Sequence, residues 1–212
     1  GGGHHLAPLT PDPHVGKVDV LVSTISAVSV VAALVSVMRS REKQLVQSAH
    51  IAALTDPLTT LSNRRALALD LSGLTPTPES GMVLVAFDLD GFKAYNDAFG
   101  HDAGDRLLQR LGHNLLKVSQ TADARAYRLG GDEFCLLGPS GSEGDARLIA
   151  AATNALTDQG EGWTIGPSVG TVMIPTDVAE IENALVLADQ RMYRHKAERR
   201  AHNTRNAQPL AA

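Results

Sequence analysis

The 212-residue sequence contains a single cysteine, Cys135. That excludes an intrachain disulfide and a cysteine-based zinc site, and it leaves Cys135 as a small strand residue expected in the interior. Basic excess is missing as well: 19 Lys and Arg stand against 23 Asp and Glu, a net charge of −4. Such a balance offers no electrostatic footprint for a phosphate backbone, so nucleic acid is not expected as a partner. The chain opens on Gly1 and not on Met, which suggests a fragment or a processed form. Charge is absent from one long stretch, the 19 residues from Val20 to Met38. As a helix, that length just reaches across a bilayer.

What is present suits one domain of ordinary size plus an extension, with 43% hydrophobic and 20% charged residues. Residues 1–19 read as loop, rich in Gly and Pro, with His4 and His5 as polar members of a flexible end. Residues 20–38 are expected to be a transmembrane helix. Lys17 and Asp19 precede it and Arg39, Arg41 and Lys43 follow, so the positive-inside bias puts everything downstream in the cytoplasm, anchored at the inner (cytoplasmic) membrane. Five hydroxyl residues, Ser23, Thr24, Ser26, Ser29 and Ser36, dilute the apolar signal. The competing reading is a soluble coiled coil with a second copy. Residues 39–55 continue as a helical linker, a stiff rod that Asp56-Pro57 ends, because the residue before proline disfavours helical geometry.

Beyond the rod, Asn63 caps a helix that runs through Leu71. Met82 to Phe87 is apolar at every position, as in a strand covered on both faces, and it ends in Asp88-Leu89-Asp90. A short helix, Phe92 to Phe99, follows. After Gly104-Asp105 comes a long amphipathic helix that buries Leu107, Leu108, Leu111 and Leu115. Ala124 to Arg128 and Phe134 to Leu137 read as a hairpin with Gly130-Gly131 as its two-residue loop. Next are a helix over about 143–158, strands at Trp163 to Ile165 and Ser168 to Ile174 broken by Gly166-Pro167, and a last helix from Val178 to Arg200. The tail 201–212 is expected to be disordered.

The chemistry lies in two acidic clusters. Adjacent glycines supply positive φ and bare backbone against which a ligand can lie. The adjacent carboxylates Asp132 and Glu133 repel unless a cation compensates them, and a hard divalent metal does so. Asp88 sits where a buried strand ends, a common place for α/β ligand sites, and carries a desolvation cost there. If the hairpin pairs beside that strand, Asp88 and Asp132-Glu133 meet at one metal site. Lys196 and Arg200 share one helix face, as suits a phosphate chain.

These residues resemble the GGDEF-domain diguanylate cyclases from about Leu54 to Arg200. The likeness rests on Asp56-Pro57-Leu58-Thr59 with Asn63-Arg64-Arg65, on Asp88-Leu89-Asp90-Gly91-Phe92-Lys93 with Asn96-Asp97, and on Gly100-His101 with Gly104-Asp105. Arg128-Leu129-Gly130-Gly131-Asp132-Glu133-Phe134, Ser168-Val169-Gly170 and Ala188-Asp189 with Tyr193 and Lys196 complete it. The resemblance implies an α+β fold with a five-stranded, mainly antiparallel sheet flanked by helices, like nucleotide cyclase and polymerase palm domains. It implies a homodimeric enzyme that condenses two GTP into cyclic di-GMP. Mg²⁺ (or Mn²⁺) would be held by Asp88, the Leu89 carbonyl, Asp132 and Glu133, the last two also being the catalytic candidates. Asn96 and Asp105 would read guanine. Lys93, Lys196 and Arg200 would hold phosphates, with Gly130 and Gly131 against the nucleotide. A catalytically silent GTP-binding or partner-binding module is the alternative from another class.

Some positions depart from the family pattern. The inhibitory product site, an Arg-x-x-Asp five residues before the glycines, falls on Thr121-Ala122-Asp123-Ala124, where both anchors are missing. No product-inhibition site is therefore expected. Tyr95 replaces an aliphatic residue and Arg199 a frequent glycine; both read as packing or surface variation.

Overall fold

The structure, a computed structural model, describes residues 13–77, 80–141, 144–178 and 180–206, without side chains for 13–23, 25, 27, 46–50 and 202–206. It divides into two compact units, Gly1–His50 and Ile51–Ala212. A single helix, α1 (Pro13–Leu54), runs through the first and into the second. It starts earlier than the sequence suggested, taking in part of the expected loop, whereas His4 and His5 lie outside the described residues.

Among the described residues no helix is long and apolar enough to cross a membrane. The expected anchor over 20–38 is therefore not supported by the fold. Residues 20–23, 25 and 27 have no described side chains.

The second unit is a sheet between helices. Its strands are β1 (Ser62–Asn63), β2 (Met82–Asp90), β3 (Arg125–Gly130), β4 (Glu133–Pro139), β5 (Asp158–Gly160) and β6 (Trp163–Ile174). The helices are α2 (Arg64–Ser72), α3 (Phe92–Phe99), α4 (His101–Thr121), α5 (Gly144–Ala155) and α6 (Ala184–Asn206), with a short 3₁₀ turn at Ile181–Asn183. Spatial order is β1-β3-β4-β2-β6-β5, and every pairing except β1 with β3 is antiparallel.

Among the described residues the sheet has six strands, not five. Two short ones, β1 and β5, have no hydrophobic pattern and form only because a longer neighbour offers them a ladder. Conversely, Gly166-Pro167 does not break β6. Past Ile165 that strand has left β5 behind, so Pro167 sits on an edge, where a missing N–H is tolerated. The helix expected over 143–158 stops at Ala155 to make room for β5. The last helix continues through Asn206, and 207–212 lie outside the described residues.

Strand β2 is the centre, buried along almost its whole length. Its side chains alternate with period two. Val83, Val85, Phe87 and Leu89 face one core with Leu107, Leu111 and Leu115 of α4 and Leu148 of α5. Leu84 and Ala86 face the other with Leu67 and Leu71 of α2, Cys135, and Ala188 and Met192 of α6. Asn63 caps α2 by accepting from the Ala66 N–H at 3.1 Å.

Candidate active site

The alternation that builds the two cores also sorts the acids. Asp88 and Asp90 continue the Leu84, Ala86 series and emerge on the side covered by α2 and α6. On β4, Phe134 and Leu136 go to the opposite core and Cys135 to this one, so Glu133 shares the side of Asp88. Asp88 and Glu133 are direct partners in the β2 and β4 ladder. Their Cα atoms are therefore about 5 Å apart.

The hairpin loop is Gly131-Asp132, one residue later than the sequence suggested, since Gly130 already pairs with Glu133 and the register shifts between Arg128 and Gly130. A bulge of this kind re-aims the residues beyond it. Gly130 and Gly131 have φ of 141° and 54°, and a side chain on either would meet nothing within 4 Å. The turn needs glycine for its conformation, and the space over it is open to a ligand. Beneath, the Leu89 N–H donates to the Asp132 carbonyl at 3.2 Å, which ties the turn to the end of β2.

The acids are crowded. Burial, and then the charge of Asp88, raise the Asp132 carboxyl above its usual range, which Lys196 and Arg128 only partly offset. Each of the other two acids already has a cation. Lys196 Nζ donates to Asp88 Oδ1, and it lies 4.0 Å from Asp90 Oδ1. Arg64 donates to Glu133 at 2.9 Å and to the Leu129 carbonyl at 3.3 Å. Among the described residues no three His, Cys, Asp or Glu side chains are gathered ready to hold a metal ion. The donor chemistry nonetheless fits one, because carboxylates and a carbonyl are the oxygen ligands a hard divalent cation takes. The Arg64 and Glu133 side chains are 54% and 42% exposed, so that pair is easily exchanged.

A second cluster lies between α3 and α4. The Asn96 Oδ1 is buried without a hydrogen-bond partner. An orphaned buried acceptor costs about 1–3 kcal/mol and calls for an explanation, such as a missing ligand. It lies against Gly104, where a Cβ would fall 1.8 Å from it. Asp105 follows at the exposed surface of α4, and Lys93 stands exposed on α3. On α6, Lys196 is half-buried and Arg200 exposed.

Several functional contacts escaped sequence reasoning. Asp56, read as a helix stop and part of an entry motif without any contact assigned to it, accepts from the Thr59 N–H at 2.8 Å and its hydroxyl at 2.7 Å, and from Arg128 at 3.0 and 3.2 Å. Arg128 also donates to the Gly131 carbonyl at 3.1 and 2.8 Å, so it clamps the turn. Asp followed three residues later by Thr is a capping-type signal, the carboxylate accepting the N–H three residues on, that could have revealed the first half. The His195 Nδ1 accepts the Val169 N–H at 3.1 Å and joins α6 to β6 beside Lys196. Arg199, expected as packing or surface variation, makes polar contacts across elements: it donates to the Pro167 carbonyl at 2.5 Å and lies 3.4 Å from Asp90 Oδ2. Tyr95 does pack as expected, with ring centroids 4.8 Å from Phe99 and 4.9 Å from Trp163.

Comparison with known proteins places this geometry in context. Residues 53–202 match the family described as diguanylate cyclase, GGDEF domain. An uncharacterized protein in the hutH 5′ region of Streptomyces griseus is 36% identical over 93% of this chain and 82% of its own length. Diguanylate cyclase DgcP of Escherichia coli is 32% identical over 77% of this chain; the match spans only 49% of DgcP. Among solved structures, the coiled coil and GGDEF domain of DgcB from Caulobacter crescentus, in complex with c-di-GMP, superposes with a TM-score of 0.69 at 21% identity, over 81% of this chain and 95% of that one. At that identity the likeness speaks to the fold alone. With the family match running through β2, the hairpin and most of α6, the chain belongs to the diguanylate cyclase, GGDEF domain family.

Proposed function

We propose that the chain is an active diguanylate cyclase that joins two GTP into cyclic di-GMP. In each half-reaction a 3′-hydroxyl oxygen forms a bond to the α-phosphorus of the other nucleotide, the bond to pyrophosphate breaks, and the hydroxyl proton is lost. The single observation behind this reading is the pairing of Asp88 with Glu133, with the turn that carries Asp132 bonded to the next residue of β2. One strand end thereby brings the backbone of three acidic residues together, where an isolated acidic hairpin would have only two.

Bound Mg²⁺ (or Mn²⁺) would neutralise phosphate charge and favour the attacking alkoxide. Asp88, the Leu89 carbonyl, Asp132 and Glu133 are the residues we assign to hold it. Asp132 and Glu133 are also our candidates for the proton of the attacking hydroxyl. Asn96 supplies a desolvated amide and Asp105 a carboxylate that accepts from guanine N1–H and N2–H. Lys93, Lys196 and Arg200 orient the phosphates, and Gly130 and Gly131 let the nucleotide lie on the turn.

One site holds one GTP, so ring closure needs two copies facing each other. We assign the pairing of copies to α1, whose Val28, Val31, Val35 and Met38 are exposed at heptad spacing. Placement of the domain on the cytoplasmic face of the inner membrane is a separate proposal that rests on the uncharged run and its basic flank alone. Recovery of the full-length gene product wholly in the soluble fraction would overturn it.

The decisive assay incubates the dimer with GTP and Mg²⁺ and looks for cyclic di-GMP and pyrophosphate. The expected result is product from the wild type and at least a hundredfold less from Asp88→Ala and Glu133→Ala. A well-folded dimer that binds GTP without making product would instead establish the silent module.

A further inference from the structure

Four charged side chains, two of each sign, meet where β2 ends against α6. Asp88 and Asp90 are two apart on the strand and so emerge on the same side; Lys196 and Arg199 are three apart on the helix and share a face. Lys196 donates to Asp88 and is 4.0 Å from Asp90, so one cation lies within reach of both acids. Asp90 has two other partners. The Ser168 hydroxyl donates to its Oδ2 at 2.7 Å, and Arg199 lies 3.4 Å from the same oxygen. Arg199 is held in place by its bond to the Pro167 carbonyl.

This arrangement matters for what happens to Lys196. On the cyclase reading, on which the inference rests, Asp88 would hold a divalent ion, and Lys196 would then be freed to turn toward the phosphates. An Asp90 without a counter-charge would compete for it, since the ammonium has only to turn toward a carboxylate already nearby. A carboxylate with an arginine and a hydroxyl on it competes poorly, because its charge and one lone pair are already engaged. We propose that Arg199 is a positioning residue that reserves Lys196 for the nucleotide: it neutralises Asp90, the second acid within reach of Lys196 among the described contacts.

The proposal makes a signed prediction that a mere brace between α6 and β6 does not. Removing Arg199 weakens nucleotide binding, and neutralising Asp90 in the same chain restores it. A role confined to the Pro167 contact, or a direct contact from Arg199 to phosphate, gives no such rescue.

The experiment is calorimetric titration of the full chain with the α,β-methylene analogue of GTP, which cannot undergo transfer, in the presence of Mg²⁺. Four proteins are compared: wild type, Arg199→Gln, Arg199→Lys, and Arg199→Gln combined with Asp90→Asn, each checked by thermal melting. Arg199→Gln is expected to bind about tenfold more weakly, Arg199→Lys within about threefold of wild type, and the double variant within about twofold. Arg199→Gln binding like wild type, or a double variant no better than Arg199→Gln, overturns the inference and leaves the cyclase reading standing. A folded wild-type chain that binds no analogue overturns both.

Discussion

A single methyl group at position 104 should separate stability from the guanine recognition proposed for Asn96. In Gly104→Ala the new Cβ would fall 1.8 Å from the Asn96 Oδ1, 2.9 Å from its Cγ and 3.2 Å from the Phe92 Cζ. The Phe92 contact is tight and still tolerable. The Asn96 contact is impossible, but it involves the tip of a flexible side chain that can rotate away. Three effects then bear on stability. Alanine is up to about 1 kcal/mol better than glycine inside a helix. Freeing the orphaned Oδ1 to reach water recovers part of about 1–3 kcal/mol. Crowding against Phe92 costs about 1–3 kcal/mol, as overpacking does. These nearly cancel, so unfolding in urea should shift by no more than about 1 kcal/mol. If Asn96 reads guanine as proposed, recognition has no such compensation, because the displaced amide would leave a base donor without its acceptor. Affinity for GTP should fall about 5–150-fold, from the roughly 1–3 kcal/mol that a buried polar group left unsatisfied costs, at RT near 0.6 kcal/mol. The assay pairs urea unfolding with GTP titration. Unchanged GTP affinity, or a loss of stability above about 3 kcal/mol, would refute the reasoning.

Three other outcomes follow from the same geometry. Arg128→Ala strips the counter-charge from Asp56, with side chains only 10% and 16% exposed, and releases the Gly131 carbonyl; a loss of about 3 kcal/mol in urea is expected, and a loss under 1 kcal/mol would contradict the clamp. Burial alone would raise the Asp56 carboxyl, but Thr59 and Arg128 outweigh it and hold it below 3.8, so its stabilisation is present above that pH and is lost as pH falls through the lowered value; Arg128→Ala should blunt this acid-side loss. Asp132 has the opposite sign. Its carboxyl is raised above 3.8, the folded chain binds the extra proton, and ion-free stability should decline as pH rises through the window just above 3.8; Asp132→Asn should remove that slope and raise the melting point, and a lowered one at neutral pH would count against the crowding. Finally, added cyclic di-GMP should not slow the reaction through residues 121–124. The nearby Arg125 is already bonded to Asp70 at 2.9 and 2.7 Å and to Ser62 at 2.9 Å, and tight product binding that depends on Asp123 or Arg125 would contradict the expectation.

Much of the fold was legible because hydrophobic period and punctuation agree locally. The unbroken apolar run of β2, the Asn63 cap, the Leu107 to Leu115 stripe and the glycine hairpin all declare themselves within a few residues. What escaped was set by partners far along the chain. Strands β1 and β5 carry no pattern of their own, and Pro167 is admitted to β6 only because β5 has ended beside it. The site divides in the same way. The acids were visible as motifs, and their meeting could be argued from strand order. The cations parked on them could not: Arg64 reaches Glu133 across 69 positions and Lys196 reaches Asp88 across 108. Arg199, set aside as packing or surface variation, gains its meaning from β6 and β2 together. The hairpin loop was misplaced by one residue because a bulge depends on the pairing strand, which the Gly-Gly signal does not report.

The central claim is that Asp88 and the hairpin acids serve one divalent ion. Manganese can stand in for magnesium, and its paramagnetic resonance distinguishes bound from free ion. With Mn²⁺ and the α,β-methylene GTP analogue, the wild type should show tight binding, and Asp88→Asn and Glu133→Gln should each weaken it at least tenfold while the protein stays folded. Binding that is equally tight in all three proteins would contradict the account.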